Sequence, residues 1–194
     1  MPRVIPNYKK QAKETIMDSA SQLFFEVGYH ETRMDDIANK IGVTKGTLYL
    51  YFNSKEELLE ETCNRNMALV EDSLNNIKSG NFIESVENFF KTELEMPDYM
   101  KFHWIFALGE MKSNQHVLKI LTDSYKKYLK ILSDKIEELK KKGTISKETD
   151  PQLLSKMLIA FHNGVLVSIM QGLDQKEAAR LFKMGVEGII AGIQ

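Results

Sequence analysis

The segment from Met34 to Leu58 constrains the fold more than any other part of the chain. It predicts two short helices, Met34–Ile41 and Thr44–Phe52, joined by a tight turn at Gly42. A further helix begins immediately afterwards, because the serine and glutamate of S-K-E-E (54–57) form a capping box. Two short helices at a fixed angle, followed directly by a long one, are typical of a helix-turn-helix.

The outward face of the second short helix is the part of this motif that indicates function. If Leu48 packs toward Ile37 and Ile41 of the first helix, a step of about 100° per residue places Gly46 and Leu50 on the opposite face. An outward glycine destabilises a helix by roughly 1 kcal/mol relative to alanine, and an outward leucine is unfavourable in water. Close approach to the major groove of DNA, where leucine can contact thymine methyl groups, accounts for both residues.

The rest of the chain carries helical periodicity nearly throughout, and no stretch alternates for long as a strand does. We therefore expect an all-α protein, with an N-terminal three-helix helix-turn-helix DNA-binding domain (1–53) joined to a C-terminal helical effector-binding and dimerisation domain (54–194). Outside the two short helices, the predicted helices are Tyr8–Glu26, Ser54 to about Ile77, Phe82–Glu95, Tyr99–Lys112, Val117–Lys142, Pro151 to about Gln171, and Gln175–Ile193.

Charge and cysteine content bound the class of protein. The net charge is −1, but residues 1–55 carry +2 and residues 56–194 carry −3, so the basic end coincides with the motif. The single cysteine, Cys63, excludes an intrachain disulfide and fits a reducing cytoplasm. With no run of 18 or more apolar residues and no signal peptide, we expect a cytoplasmic protein without a membrane partner.

An enzyme is not expected. The four histidines are scattered, and the chain lacks a phosphate-cradling glycine loop, a nucleophile elbow and an H-E-x-x-H pair. His103 and Glu110 are spaced to share a metal, but further ligands at suitable spacing are missing. We therefore predict no catalytic residue, no metal and no cofactor, and an inert thiol at Cys63.

The motif resembles the TetR family of bacterial and archaeal transcriptional regulators. The resemblance lies in G-Y-H-E-T-R-M-D-D-I-A (28–38) and G-V-T-K-G-T-L-Y-L-Y-F-N-S-K-E-E-L (42–58), and covers about residues 8–60; beyond them only length and helical content are similar. It implies a homodimer that binds double-stranded DNA at a pseudo-palindromic operator through a recognition helix in the major groove. It also implies a pocket whose hydrophobic small-molecule effector releases the DNA.

Eight residues are predicted to contact DNA. The resemblance assigns backbone contacts to Tyr49 and Lys55, and the amides at the helix start beside Lys55 favour phosphate binding. At position 33 the family often has a serine or threonine cap, so either Thr32 takes that role or Arg33 contacts a phosphate. The DNA-binding residues are Arg33, Lys45, Gly46, Thr47, Tyr49, Leu50, Tyr51 and Lys55.

For the pocket, methionines and aromatic residues with a few polar groups indicate an adaptable apolar cavity, although the same residue types also build ordinary cores. An acyl chain and an aromatic drug both fit this composition. The predicted ligand-binding residues are Phe89, Met100, His103, Trp104, Phe106, Glu110, Tyr125, Phe161 and His162.

The last two helices predict how subunits associate. Gly185, Gly188 and Gly192 form a small-residue stripe on the last helix, and the helix before it has a broad apolar face. These surfaces suit an intersubunit four-helix bundle, or packing within one subunit. The function predicted from the sequence is a repressor released from its operator by a hydrophobic ligand; the alternatives are a constitutive DNA-binding protein and an activator without small-molecule control.

Overall fold

The computed structural model describes residues 6–75, 82–98 and 105–192, and all the regular structure in those ranges is helical. They include a short 3-10 turn at Gly109–Lys112. The helices are α1 (Pro6–Val27), α2 (Met34–Lys40), α3 (Lys45–Tyr49), α4 (Lys55–Asn75), α5 (Phe82–Leu94), α6 (Ile105–Leu108), α7 (Gln115–Lys141), α8 (Pro151–Met170) and α9 (Gln175–Ala191). The predicted all-α class with an N-terminal helix-turn-helix is confirmed.

Helix ends follow the local signals in the sequence. Gly28 after α1 and Gly42 between α2 and α3 have φ angles of +102° and +71°, a region that glycine adopts without strain. At the start of α4, the Ser54 hydroxyl accepts the Glu57 amide at 3.1 Å. The Glu57 carboxylate accepts the amide of Asn53 at 2.7 Å, one residue further back than an ideal capping box requires.

The second short helix of the motif is shorter than predicted, as is the described part of the predicted helix Tyr99–Lys112, which is α-helical only over Ile105–Leu108. The recognition helix α3 ends at Tyr49 instead of continuing to Phe52, and Leu50 is its C-cap. The amides of both Tyr51 and Phe52 donate to the carbonyl of Leu48, at 3.0 and 3.2 Å, which closes a tight turn after the helix. Phe52 is completely buried in the core, so burial of this ring coincides with the end of α3.

The chain divides into two compact units. The N-terminal unit comprises the described residues within 1–66 and 97–124, and the C-terminal unit comprises those within 67–96 and 125–194. These units are defined by packing, and their boundaries fall inside α4 and α7. The predicted functional boundary after residue 53 remains a prediction.

The N-terminal unit is built around one apolar core. Residues of α1, α2, α3, α4 and the first turns of α7 contribute to it, with Ile37, Leu48 and Leu58 entirely without solvent exposure. Arg65 of α4 adds a polar connection to α1, because its guanidinium donates to Glu14 at 3.0 Å and to Asp18 at 2.8 Å. Apolar burial and these charged hydrogen bonds together fix α1 and α4, the two helices that flank α2 and α3 in the chain.

The C-terminal unit packs α9 against both α5 and α8. Its centre is aromatic: the rings of Phe90 and Phe182 stack with centroids 4.0 Å apart, and Phe161 stacks on Phe182 at 5.9 Å. Gly185 leaves room for this arrangement. A Cβ atom added at Gly185 would lie 2.0 Å from the Phe161 ring, whereas one added at Gly188 would meet nothing within 4 Å. Gly185 therefore serves packing inside the unit and does not share the outward stripe predicted for it.

Helix α8 is long and apolar enough, by length and composition, to cross a membrane, with a mean hydropathy of 1.6 over its best window. The sequence predicted no membrane-spanning segment because it has no uninterrupted run of 18 or more apolar residues, and α8 contains polar residues within its apolar sequence. Leu154, Leu158 and Val165 of α8 are buried within the C-terminal unit, whereas Leu153, Met157 and Met170 are exposed, and 39% of this window is buried.

We predict that Gly185→Ala lowers the free energy of unfolding by about 1–3 kcal/mol, because the new methyl group overlaps a ring that is already stacked. Urea unfolding monitored by circular dichroism measures this loss. Phe161→Leu in the same background should restore part of it, and a double-mutant cycle isolates the coupling. Additive effects of the two substitutions would contradict the proposed close contact.

Candidate DNA interface and ligand cavity

The outward face of α3 is exposed as the motif predicts. Leu48 is completely buried, whereas Leu50 is 78% exposed and Tyr49 is 40% exposed. Thr44 caps the helix, since its hydroxyl accepts the Thr47 amide at 3.1 Å. Among the described residues, Leu50 is the most exposed large apolar side chain. It lies at the end of the recognition helix, where a partner can contact it.

Gly46 has no structural reason to be glycine within this fold. It has no positive φ, and a Cβ atom added to it would meet only the Thr44 hydroxyl at 3.8 Å, an ordinary contact. Alanine at this position would stabilise the helix by roughly 1 kcal/mol. The absence of a side chain at Gly46 therefore leaves space on the outward face for an external partner.

Lys45 and Tyr51, also predicted to contact DNA, lie in different surroundings. The Lys45 ammonium is exposed and pairs with Asp35 at 2.8 Å, a hydrogen-bonded contact that raises its pKa. It lies 6.0 Å from the centre of the Tyr49 ring. An exposed ion pair is weakly held in water, so phosphate can compete for Lys45. Tyr51 is half-buried and packs against the core, which leaves it less available than Tyr49.

The structure shows which of Thr32 and Arg33 occupies the cap position of α2. Thr32 is buried, and its hydroxyl donates to the carbonyl of Gly28 at 2.8 Å, so it does not cap α2. Arg33 occupies the cap position with an exposed side chain that makes no capping bond. Its amide donates to Asp36 at 2.8 Å, which provides the acidic half of the cap. The Arg33 guanidinium is therefore free of the capping role.

Lys55 is placed differently from the expectation. Its ammonium donates to the carbonyl oxygens of Tyr29 at 2.5 Å, Thr32 at 2.9 Å and His30 at 3.1 Å. It also lies 4.4 Å from the centre of the Tyr29 ring. An ammonium group has three N–H donors, and all three are directed at the turn before α2. Partial burial lowers the pKa of Lys55. Lys55 thus fixes that turn, and a direct phosphate contact would require it to leave these carbonyls.

The C-terminal unit contains an apolar cavity of about 30 Å³. It is lined by residues of α4, α5, α7, α8 and α9, which are Val70, Leu74, Val86, Phe89, Tyr128, Leu132, Leu158, His162 and Phe182. This volume accommodates roughly one or two water molecules and is far below the several hundred Å³ of typical ligand pockets. A ligand of any size therefore has to move the lining side chains apart.

A buried pair of ionisable side chains lies at this cavity, with His162 in the wall and Glu93 beside it. Nε2 of His162 is 2.5 Å from the Glu93 carboxylate, with only 9% and 13% of the two side chains exposed. Although burial alone lowers the pKa of His162, the adjacent Glu93 carboxylate raises it, and the net shift is upward. The rings of Phe90 and Phe182 meet the imidazole edge to face, at 5.7 and 5.9 Å, and hold its orientation.

Of the predicted ligand-binding residues, the structure brings Phe89 and His162 together in this wall. Phe161 instead packs on Gly185, and Tyr125 is 45% exposed. Glu110 belongs to the N-terminal unit, where it lies 3.6 Å from His30. Met100, His103 and Trp104 lie outside the described residues, as does the side chain of Phe106.

Glu93 is the functional candidate that sequence reasoning missed. It follows Val86 and Phe89 at helical spacing on α5 and contacts His162 of the cavity wall, although it does not line the cavity itself. His162 likewise follows Leu158 by one helical turn on α8. An ionisable residue at helical spacing from apolar residues, on each of two helices, was the feature of the sequence that could have identified this pair.

Among the described residues, the other titratable groups considered from the sequence form neither a reactive thiol nor a metal site. Burial raises the pKa of the Cys63 thiol to about 11, so it stays protonated and unreactive. Within the described residues, no group of three or more histidine, cysteine, aspartate or glutamate side chains is placed to hold a metal ion.

Comparisons with known proteins agree with this architecture. Residues 16–62 match the profile of the family described as "Bacterial regulatory proteins, tetR family". The "Fatty acid metabolism regulator protein" of Bacillus subtilis is 25% identical, over 92% of this chain and 93% of that protein. Among solved structures, GusR of Salmonella enterica has a TM-score of 0.78 at 21% identity, covering 97% of this chain and 98% of that one. FadR of Bacillus subtilis, solved with stearoyl-CoA, has a TM-score of 0.76 at 22% identity, covering 93% and 99%.

The profile falls on the α1 to α4 segment that contains the exposed recognition helix. The two structural neighbours share the fold along nearly the whole chain. These relatives are regulators and not enzymes, in agreement with the predicted lack of catalytic function. Residues 16–62 therefore form a domain of the family described as "Bacterial regulatory proteins, tetR family", and the relatives that match along the length of the chain are regulators.

Proposed function

We propose that this protein is a repressor that binds a pseudo-palindromic DNA operator as a homodimer and releases it when a hydrophobic small molecule binds the C-terminal unit. The observation that carries the proposal is the outward face of α3, where Gly46 lacks an internal structural role and Leu50 is strongly exposed. A reader of base edges needs such a face, held rigidly from behind by a residue such as Leu48.

The residues around α3 divide into two groups on this proposal. Gly46 and Leu50 approach the bases, with Leu50 against thymine methyl groups. Lys45, Tyr49 and Arg33 surround them with exposed charge or hydroxyl, and they contact phosphates that fix the position of the helix without reading sequence. The turn ordered by Lys55 then sets where Arg33 meets the backbone.

A homodimer is supported by the outer surfaces of α8 and α9. Leu153, Met157 and Val167 on α8 are each at least about one-third exposed, and Leu181 and Met184 on α9 are 44% and 59% exposed. Their spacing is that of a helix-packing seam. Gly164 and Gly188 are exposed among them and would permit close approach. A second copy presenting the same two helices completes a four-helix bundle, and two recognition helices then reach successive major grooves.

Control by a small molecule is supported by the cavity in the C-terminal unit. Its wall is apolar apart from the His162 and Tyr128 side chains, as expected for a hydrophobic ligand. FadR, a structural neighbour, was solved with stearoyl-CoA, so this fold can accommodate a lipid-like effector. Since the cavity must widen to admit a ligand, binding changes packing in this unit and can thereby be coupled to DNA affinity.

The first test uses opposite effects on stability and binding. Gly46→Ala should leave the free energy of unfolding unchanged or raise it by up to about 1 kcal/mol, because the new methyl group meets open space. The same substitution should weaken binding to a DNA sequence selected from a random pool by about tenfold or more. Fluorescence anisotropy measures the affinity, with Ser73→Ala in α4 as the control. Undiminished affinity in Gly46→Ala would show that this face of α3 does not approach the major groove of DNA.

The second test compares the two lysines by the salt dependence of DNA binding. Lys45→Met should reduce the slope of log affinity against log salt by about one, because one phosphate contact is lost. Lys55→Met should leave the slope unchanged and lower the free energy of unfolding by about 1.5–3 kcal/mol, since its donors serve the turn before α2. Lys147→Met, an exposed loop substitution, is the control. A reduced slope with unchanged stability in Lys55→Met would assign Lys55 to phosphate instead.

The third test addresses assembly. Met184→Glu combined with Leu181→Glu places charges on the exposed seam of α9 and should convert a dimer to monomers in analytical ultracentrifugation. Operator affinity should fall with it, because one recognition helix cannot supply the contact area. Lys176→Glu at the start of the same helix serves as the control. A double variant that stays dimeric would show that α9 is not in the interface.

A further inference from the structure

His162 presents an unsatisfied hydrogen-bonding atom at the cavity. Its Nε2 is hydrogen-bonded to the Glu93 carboxylate at 2.5 Å. Its Nδ1 is buried and has no hydrogen-bond partner within 3.5 Å among the described residues. The residue lines the cavity and is more than nine-tenths buried. Buried polar atoms without partners are uncommon, because each costs the free energy of its lost hydration. Here the unpaired atom belongs to a residue in the wall of an apolar cavity.

The charges around this atom define what it can accept or donate. Nε2 donates to the Glu93 carboxylate. Burial lowers the pKa of His162, but the Glu93 carboxylate and the Asn163 side chain raise it, and the net upward shift favours the imidazolium form, in which Nδ1 is also a donor. Tyr128 is the other titratable residue of the cavity wall, and burial raises its pKa, so its hydroxyl is uncharged. The pair of Glu93 and His162 is therefore neutral overall and offers one unused donor.

We propose that the effector is an uncharged, largely apolar molecule whose carbonyl or similar oxygen accepts a hydrogen bond from Nδ1 of His162. This rests on the proposed function, because it names the chemistry of the ligand that the C-terminal unit binds. A ligand that displaces water from the cavity has to supply the acceptor itself. Val86, Phe89 and Leu158 surround the remainder of the molecule with apolar surface.

Two other ligand classes fit this wall less well. A pure hydrocarbon fills apolar space but leaves the His162 donor unpaired in a dry site. A carboxylate can accept from His162, but its negative charge would be buried beside an ion pair that is already neutral, with Glu93 close by. The wall thus selects against free acids as well as against hydrocarbons.

Three probes of the same shape test this selection on the full-length protein. Acetylnaphthalene carries a ketone, isopropylnaphthalene replaces the ketone with a hydrocarbon group, and naphthoate carries a carboxylate. We expect the wild type to bind the ketone, measured by titration calorimetry, and the ketone to lower operator affinity. The preference for ketone over hydrocarbon should be about tenfold greater in the wild type than in His162→Phe.

Glu93→Gln provides a second variant of the same size. It keeps an acceptor for Nε2 of His162 but removes the neutralising charge, so the preference for naphthoate over the ketone should rise about tenfold. A merely structural role of Glu93 would change all three affinities alike. Circular dichroism and thermal unfolding establish that each variant is folded.

The outcomes separate the two proposals. If none of the probes binds the wild type, the cavity is not the effector site, and this inference falls together with that part of the proposed function. If the probes bind and release DNA but neither variant changes their relative affinities, the effector site stands and the role of His162 is overturned. The expected tenfold changes in relative affinity in both variants would support both proposals.

Discussion

The burial of Leu48 against the core that includes Ile37 is the constraint on which the DNA-facing surface depends. Helix α3 has only five residues, which is too short to be stable alone, so its orientation is set by packing. With Leu48 and Ile37 fully buried in one core, helical geometry leaves Gly46 and Leu50 on the outside. The apolar interior and the exposed recognition surface are therefore two sides of the same five residues, and a change of register in α3 would lose both.

Lys55 makes a structural contact that the motif alone does not indicate, whereas its contact with phosphate stays a prediction. The turn before α2 exposes backbone carbonyls that its own sequence does not satisfy, and the ammonium of Lys55 supplies three donors to them. A positive charge at the start of α4 is unfavourable for the helix dipole, so these hydrogen bonds offset a local cost. Arg33 lies directly after the same turn, so on the proposed function Lys55 also orders a cation that contacts phosphate.

The helices were largely predictable from the sequence, and the cavity was not. Apolar periodicity, Gly28 and Gly42 located α1, α2 and their turns, because these signals act within a few residues. Helix α3 was predicted too long, since the burial of Phe52 is a tertiary effect. Aromatic content could not distinguish Phe89, in the cavity wall, from Tyr125 on the surface, because only the packing of several helices decides which side faces inward.

On the ligand chemistry proposed above, recognition of the effector accounts for the pair of Glu93 and His162 better than stability does. Removing two ions from water is costly, and an apolar pair of the same volume is commonly as stable or more so. The surroundings would suit such a replacement, since Phe90 and Phe182 pack closely around the imidazole. The ion pair instead leaves Nδ1 of His162 unpaired, which adds a further cost. A ligand oxygen at Nδ1 removes that cost, so the same arrangement that weakens the empty fold favours the state in which the effector is bound.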